Sequence, residues 1–195
     1  MRQSPDTLNA AAPGVHAGAL WKEAAVISFV PLESVPVDAV EALLDRAFGR
    51  DRHGRTAYSI REGVDAIAEL SFAARFADGR LAGTIQCWPV ALACDGGGSA
   101  PMVMVGPVAV DPEWQQEGVG RALMAEMLRR ADARDIGALM LIGDPEYYGR
   151  FFGFSAERTA GWRLPGPVER HRLLARGAAV PDCVGKLGPD LRKAA

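Results

Sequence analysis

Gln115-Gln116-Glu117-Gly118-Val119-Gly120-Arg121 places two glycines where a helix begins, directly after a short loop. The first turn of a helix leaves its N–H groups without intrahelical partners, and the helix dipole adds positive potential there. Glycine has no Cβ to cover those donors. The chemistry this suits is binding of a phosphate or pyrophosphate. A second cluster, Gly143-Asp144-Pro145-Glu146-Tyr147-Tyr148, puts two phenols on the first turns of another helix. Phenols can donate a proton to a leaving group or simply pack the helix.

These two clusters need elements to hold them. Met102–Val110 reads as an apolar strand before the first cluster, interrupted by Gly106-Pro107. Proline cannot donate to a ladder, so an edge or bulge is expected there. Gly118 to Arg134 has helical spacing, with Gly120, Leu123, Met124, Met127, Leu128 and Ala131 on one face. Ala138–Ile142 reads as a buried strand. Asp144 then caps a helix with Pro145 at its first position, stopping near Gly153, and Phe154 is expected to enter another strand.

Upstream, Ala25–Val30 reads as a strand and Asp38–Phe48 as an amphipathic helix with Val40, Leu43, Leu44 and Ala47 together. Arg55–Arg61 fits a short helix. Leu70–Phe76 alternates, which predicts a strand buried on one face. Asp78-Gly79 marks a hairpin turn to a partner strand over Leu81–Ala91. Cys94–Pro101, with three consecutive glycines, is expected to be an open loop. Residues 1–20 read as a loose tail and 21–195 as one domain.

The chain has 195 residues, 49% of them apolar and 24% charged, with a formal net charge of −2. That is a globular composition with no argument for a nucleic-acid or membrane-surface partner. No run approaches the roughly 20 apolar residues of a membrane helix. Three cysteines, Cys87, Cys94 and Cys183, form no C-x-x-C pair, so neither a disulfide framework nor a zinc site is expected. Cys87 and Cys94 read as small buried hydrophobes. A reducing, cytoplasmic setting is the default expectation, and no residue cluster has metal-ligand spacing.

Other phosphate motifs fail on detail. A P-loop needs Lys-Ser/Thr after its last glycine, where this chain has Arg121-Ala122. A dinucleotide fingerprint needs its glycines directly after the strand, and Asp111–Glu117 intervene.

Gly106-Pro107-Val108-Ala109-Val110-Asp111-Pro112-Glu113-Trp114, then Gln115-x-x-Gly118-x-Gly120-Arg121-Ala122-Leu123, resembles the GNAT superfamily of acetyl-CoA-dependent N-acetyltransferases. Gly143-Asp144-Pro145-Glu146-Tyr147-Tyr148-Gly149-Arg150 with Gly153-Phe154 resembles the same family, in a bacterial branch with mostly unassigned substrates. The resemblance implies a single α/β domain. Its mixed, mostly antiparallel sheet would be flanked by helices, with two strands splayed to form the acetyl-CoA cleft. It implies acetyl transfer to a primary amine by direct attack in a ternary complex. Val108, Ala109 and Val110 would lie along the pantetheine arm, and Gln115, Gln116, Glu117, Gly118, Val119, Gly120 and Arg121 around the pyrophosphate. It implies Tyr148 as general acid, with Tyr147 as runner-up, and a possible homodimer.

Phe151-Phe152 adds one residue to the branch's usual spacing before Gly153-Phe154. Counting from the Asp144 cap keeps Tyr148 in the acid's place, and counting back from Phe154 shifts it by one. Glu69, at the start of a central strand, is a candidate general base, acting directly or through water. The acceptor pocket would be built by residues 49–63, the Asp95–Pro101 loop and the segment after Phe154. A non-catalytic acyl-CoA-binding sensor is the alternative function, and it would keep Gln115–Gly120 without needing Tyr148.

Overall fold

A computed structural model describes residues 27–193. The expected tail over 1–20 lies outside the described residues, as do the first two residues of the strand expected at Ala25–Val30. The elements run β1 (Ile27–Pro31), α1 (Val37–Phe48), α2 (Thr56–Ile60), β2 (Phe72–Phe76), β3 (Leu81–Cys94) and β4 (Ser99–Val110). They continue with α3 (Val119–Asp132), β5 (Leu139–Ile142), α4 (Pro145–Phe152), β6 (Trp162–Arg163), β7 (Leu173–Arg176) and β8 (Gly185–Pro189).

The strands form one sheet in the order β1-β2-β3-β4-β5-β7, with β8 paired to the far end of β3 and β6 to β8. Pairing is antiparallel except for β4–β5 and β6–β8. This is the mixed, mostly antiparallel α/β architecture that the resemblance implies.

Alternation along the strands sorts the core into layers. Phe72, Ala74, Val103 and Val105 pack with Leu123, Met124 and Met127 of α3. Ala73 and Ala109 pack with Val40, Leu43 and Leu44 of α1 on the other face. The expectation that β2 is buried on one face only therefore fails: α1 covers its second face, so Phe72, Ala73 and Ala74 are all buried. Each fully buried Leu or Met side chain contributes about 1.5–3 kcal/mol of apolar burial. Gly83 lets α3 sit close to the sheet, because a Cβ there would lie 2.7 Å from the Ala109 carbonyl oxygen and 3.0 Å from Leu123. That close approach fixes where the N-terminus of α3 meets β4.

Three further expectations are corrected. Half of the Cys94–Pro101 loop is strand: β3 and β4 form a long hairpin paired out to Ala93↔Ser99, with positive φ at Gly97 and Gly98 making the turn. Phe154 enters no strand, and only an isolated bridge, Ser155↔Ala175, follows it. Cys94 and Cys183 form a disulfide across 89 residues of sequence. The β3–β8 pairing, Cys94↔Gly185, brings them together, a proximity that sequence spacing does not show. Cys87 is the free, buried thiol, and burial pushes its pKa up.

Candidate active site

The site begins where β4 breaks register. Opposite β3, Ile85 pairs with Val108 and Cys87 with Val105, so Gly106 and Pro107 bulge against Gln86. This is the interruption expected at Gly106-Pro107, set in a central strand rather than at an edge. On its other side β4 pairs with β5 only at Val103↔Leu139 and Met104↔Met140. Past Met104 the two strands part, and a cleft opens between them.

The donor side of the cleft is made by backbone. Gly118, at φ +84°, caps α3 without a side-chain hydrogen bond, and Gln116 also has positive φ, at 71°. Ala122 is the first residue whose N–H reaches back into the helix, to the Gly118 carbonyl at 2.9 Å. The N–H groups of Gly118, Val119, Gly120 and Arg121 have no hydrogen-bond partner among the described residues. Space above them is open: a Cβ on Gly118 would meet nothing within 4 Å. Consecutive unpaired donors at a helix N-terminus form a cradle that fits a pyrophosphate. Asp111 orders the approach, accepting from the Glu113 N–H at 3.1 Å and pairing with Arg46 of α1 at 2.7 Å.

A narrow pocket of about 220 Å³ runs from this cradle along β4, lined by Val108, Val110, Gln115, Gly120, Met124 and the two tyrosines among others. It adjoins the main cleft of about 570 Å³, and Val108 and Tyr148 line both. Tyr147 lines only the narrow pocket, where its hydroxyl would be 3.8 Å from a Cβ on Gly120. Helix α4 runs unbroken from its Asp144 cap to Gly153, which ends it at φ +69°. The residues from Asp144 to the tyrosines thus keep one helical phase. The Phe151-Phe152 pair falls in the last turn, with Phe152 buried and Phe151 42% exposed.

Tyr148 sits on a glycine seat. A Cβ on Gly143 would lie 2.4 Å from its ring. Burial pushes the Tyr148 phenol up to about 12, with Tyr147 adding to the shift and Arg172 opposing it. Burial also raises Tyr147, against the pull of Arg121. Tyr148 is therefore a fully protonated donor at neutral pH.

Of the other expected site residues, Ala109 turns its side chain into the α1 core and offers only its backbone to the cleft. Arg121 is exposed, its guanidinium 4.7 Å from the Phe151 ring centroid. Gln116 and Glu117 are exposed on the loop. Glu69 is not at the start of a strand. It lies in a 3-10 turn over Ala68–Leu70, exposed and outside the cleft lining. The Asp95–Pro101 turn is also absent from the lining, because the long hairpin carries it past the far end of the sheet.

The end of the cleft expected to take the acceptor is instead a wall of arginines. Arg52, Arg55 and Arg61 come from the 49–63 region and Arg172 from the segment after Phe154. Glu169 is the one carboxylate among the lining residues. Arg52 is 2% exposed, ion-paired with Glu41 and with Asp45 at 2.9 Å, and donates to the Tyr58 hydroxyl. Burial works against its charge, but the hydrogen bonds to Glu41, Tyr58 and Asp45 outweigh it and raise its pKa.

Arg61 is 6% exposed, its guanidinium carbon 4.0 Å from the Tyr58 ring centroid and 4.5 Å from that of Trp88. It donates to the Gly106 carbonyl at 3.1 Å, as does the Trp88 indole at 2.9 Å. Burial pulls the Arg61 guanidinium below the ordinary arginine value. Sequence reading assigned this wall to a region but not to residues. The available signal was Arg50, Arg52, Arg55 and Arg61 within a dozen positions, with only Asp51 among them as an acid.

Among the described residues no helix is long and apolar enough to cross a membrane, and no group of His, Cys, Asp or Glu could hold a metal ion. A family model described as an acetyltransferase (GNAT) domain matches residues 30–156. An uncharacterized N-acetyltransferase of Escherichia coli K12, YhbS, is 30% identical over 145 residues, covering 71% of this chain and 84% of its own. The crystal structure of Escherichia coli YhbS in complex with CoA is similar with a TM-score of 0.64 at 24% identity, covering 88% of this chain and 92% of that one. A GNAT family acetyltransferase from Brucella melitensis in complex with acetyl-CoA has a TM-score of 0.53 at 27% identity, covering 79% and 97%. With the family model spanning more than half of its residues, the chain belongs to the GNAT superfamily of acetyltransferases.

Proposed function

We propose that this protein moves the acetyl group of acetyl-CoA to a primary amine by direct attack in a ternary complex. The observation that carries the reading is the run of unpartnered N–H groups at Gly118–Arg121, continuous with the pocket that ends at Tyr148. The YhbS and Brucella relatives, crystallised with CoA and acetyl-CoA, support the choice of donor.

The pyrophosphate takes the N–H cradle at 118–121, with Gln115–Glu117 folding around it. The pantetheine arm follows the free edge of β4 at Val108–Val110. The thioester carbonyl lies at the fork of β4 and β5, where a free N–H of Val108–Val110 receives the developing oxyanion. A neutral amine attacks from the arginine side. The N–C bond forms, the C–S bond breaks, Tyr148 gives its proton to the departing sulfur, and the proton shed by the nitrogen restores the phenol.

Tyr148 donates to that sulfur. A phenol held at about 12 is a reluctant acid beside a thiol of ordinary pKa about 8.5. Its hydrogen bond to the sulfur therefore forms early and full transfer comes late. Glu69, outside the cleft, is given no part as base, and the amine enters already neutral.

Acetyl-CoA titration by calorimetry, followed by an acetylation screen of small amines read by mass spectrometry, tests the reading. Binding with acetylated product is the expected outcome. Binding without any product across the screen would favour an acyl-CoA sensor. Absence of binding would remove both.

A further inference from the structure

The arginine wall is not evenly neutralised. Arg52 has Glu41 and Asp45, and Arg172 has Glu169 at 3.6 Å. Arg55 and Arg61 form no ion pair among the described residues, although both line the main cleft. Arg55 donates to the Phe48 carbonyl at 2.6 Å, and Arg61 to that of Gly106. A guanidinium has five N–H donors in a planar fork. Arg55 therefore keeps donors beyond its carbonyl bond, and Arg61, buried and bonded to Gly106 and Tyr58, keeps donors that no carboxylate among the described residues takes. A desolvated cation without a counter-charge is costly, and a ligand carboxylate would relieve that cost.

Position adds a second constraint. Arg61 is tied to Gly106, two residues from Val108, where the oxyanion donors begin. Two extended residues span at most about 7 Å. An anion held by Arg61 is therefore close to the carbonyl under attack.

Resting on the acetyl-transfer reading above, we infer that the acceptor is an amino acid: a small amine whose carboxylate lies within a few bonds of the nitrogen. Arg61, supported by Arg55, holds that carboxylate. Polyamines are excluded by the same charge, since a polycation would meet two unpaired guanidiniums. The bidentate geometry of arginine favours a planar carboxylate.

The test separates binding from transfer. CoA-loaded protein is titrated calorimetrically with amino acids, their amides, aminoalkyl phosphates of matched length, and spermidine. Each is then offered with acetyl-CoA and the product read by mass spectrometry. The acid is expected to bind about tenfold or more tightly than its amide, with no binding of spermidine.

Arg61→Met should bring acid and amide to equal affinity. Arg55→Met, at an exposed position that does not threaten the fold, should narrow the gap by about threefold. Arg55→Met should leave the affinity for CoA alone unchanged. Equal binding of acid and amide by the unaltered protein would overturn the inference, as would tighter binding of the phosphate. Parallel loss of both ligands in Arg55→Met would do the same. Acid-selective binding without acetylated product would leave the carboxylate site standing and remove the transfer reading. Acetylation blind to the carboxylate would do the reverse.

Discussion

The two halves of the cleft are built from different materials. The donor half, Val108 to Arg121, is peptide backbone arranged by glycines and a register break in one contiguous stretch. The acceptor half is side chains, Arg52, Arg55, Arg61 and Arg172, brought together from segments more than a hundred residues apart. On the function proposed above, backbone binds what every acetyl-CoA shares, and side chains select what differs between acceptors. Tyr148 stands between, lining both pockets. Apart from Arg61, which is bound to the Gly106 carbonyl, changes on one half should therefore move one substrate's parameters and leave the other's alone.

The largest effect is expected at the junction. Tyr148→Phe should lower kcat by about 10²–10³ and leave the acetyl-CoA Kd unchanged, read by steady-state kinetics with calorimetry. The same change at Tyr147 should cost far less, since Tyr147 does not reach the main cleft. Equal losses would dissolve the distinction between the tyrosines.

Gly143→Ala sharpens the same point without touching a hydroxyl. The new Cβ would lie 2.4 Å from the Tyr148 ring, so the ring must move. A fall of about tenfold or more in kcat is expected, at near-constant acetyl-CoA affinity. Gly118→Val attacks the donor half instead. A β-branched residue at φ +84° strains the cradle by about 1–3 kcal/mol. Acetyl-CoA affinity should drop by about tenfold or more while the order of preference among acceptors stays the same.

The fold and the Gln115–Gly120 motif can be read from the sequence for one reason: their determinants are local. Helix caps at Gly118 and Asp144, alternation in β2 and the break at Gly106-Pro107 each act within a few residues. The acceptor wall was legible only as a region. A five-residue helix, α2, and an irregular segment around Pro167–Arg172 are joined by shared packing and a long-range hydrogen bond, Thr56 to the Pro167 carbonyl at 2.8 Å, and no periodicity announces that. The Cys94–Cys183 bridge was missed on the same grounds. Glu69 falls outside β2 because a 3-10 turn occupies the place where the alternation of Leu70–Phe76 suggests strand.

Smaller effects test the electrostatics. With Tyr148 held at about 12, its ionisation should not limit the rate below roughly pH 10. Then kcat/KM should rise with pH as the acceptor amine deprotonates, and a falling limb near neutrality would contradict the Tyr148 assignment. Least of all, hydrogen bonds from Arg129, then Arg130, hold Glu126 at about 2, below its ordinary value and against a smaller opposing effect of burial. The stability this contributes is complete above the unfolded carboxyl value of about 4.3 and fades as pH falls toward 2. Glu126→Gln should cost under about 1 kcal/mol at neutral pH. It should also flatten that acid limb in thermal melts, with no change at either substrate.

The Gly106 carbonyl, which receives both Arg61 and Trp88, sets a rule for redesign. An engineer re-lining the acceptor end has free ground at Pro167, Val168 and Glu169, which line the cleft and form no hydrogen bond to Gly106. At Arg61 or Trp88 the same ambition would unpin the peptide from which the thioester is presented, and a gain in substrate range would be confounded with a slackened donor strand.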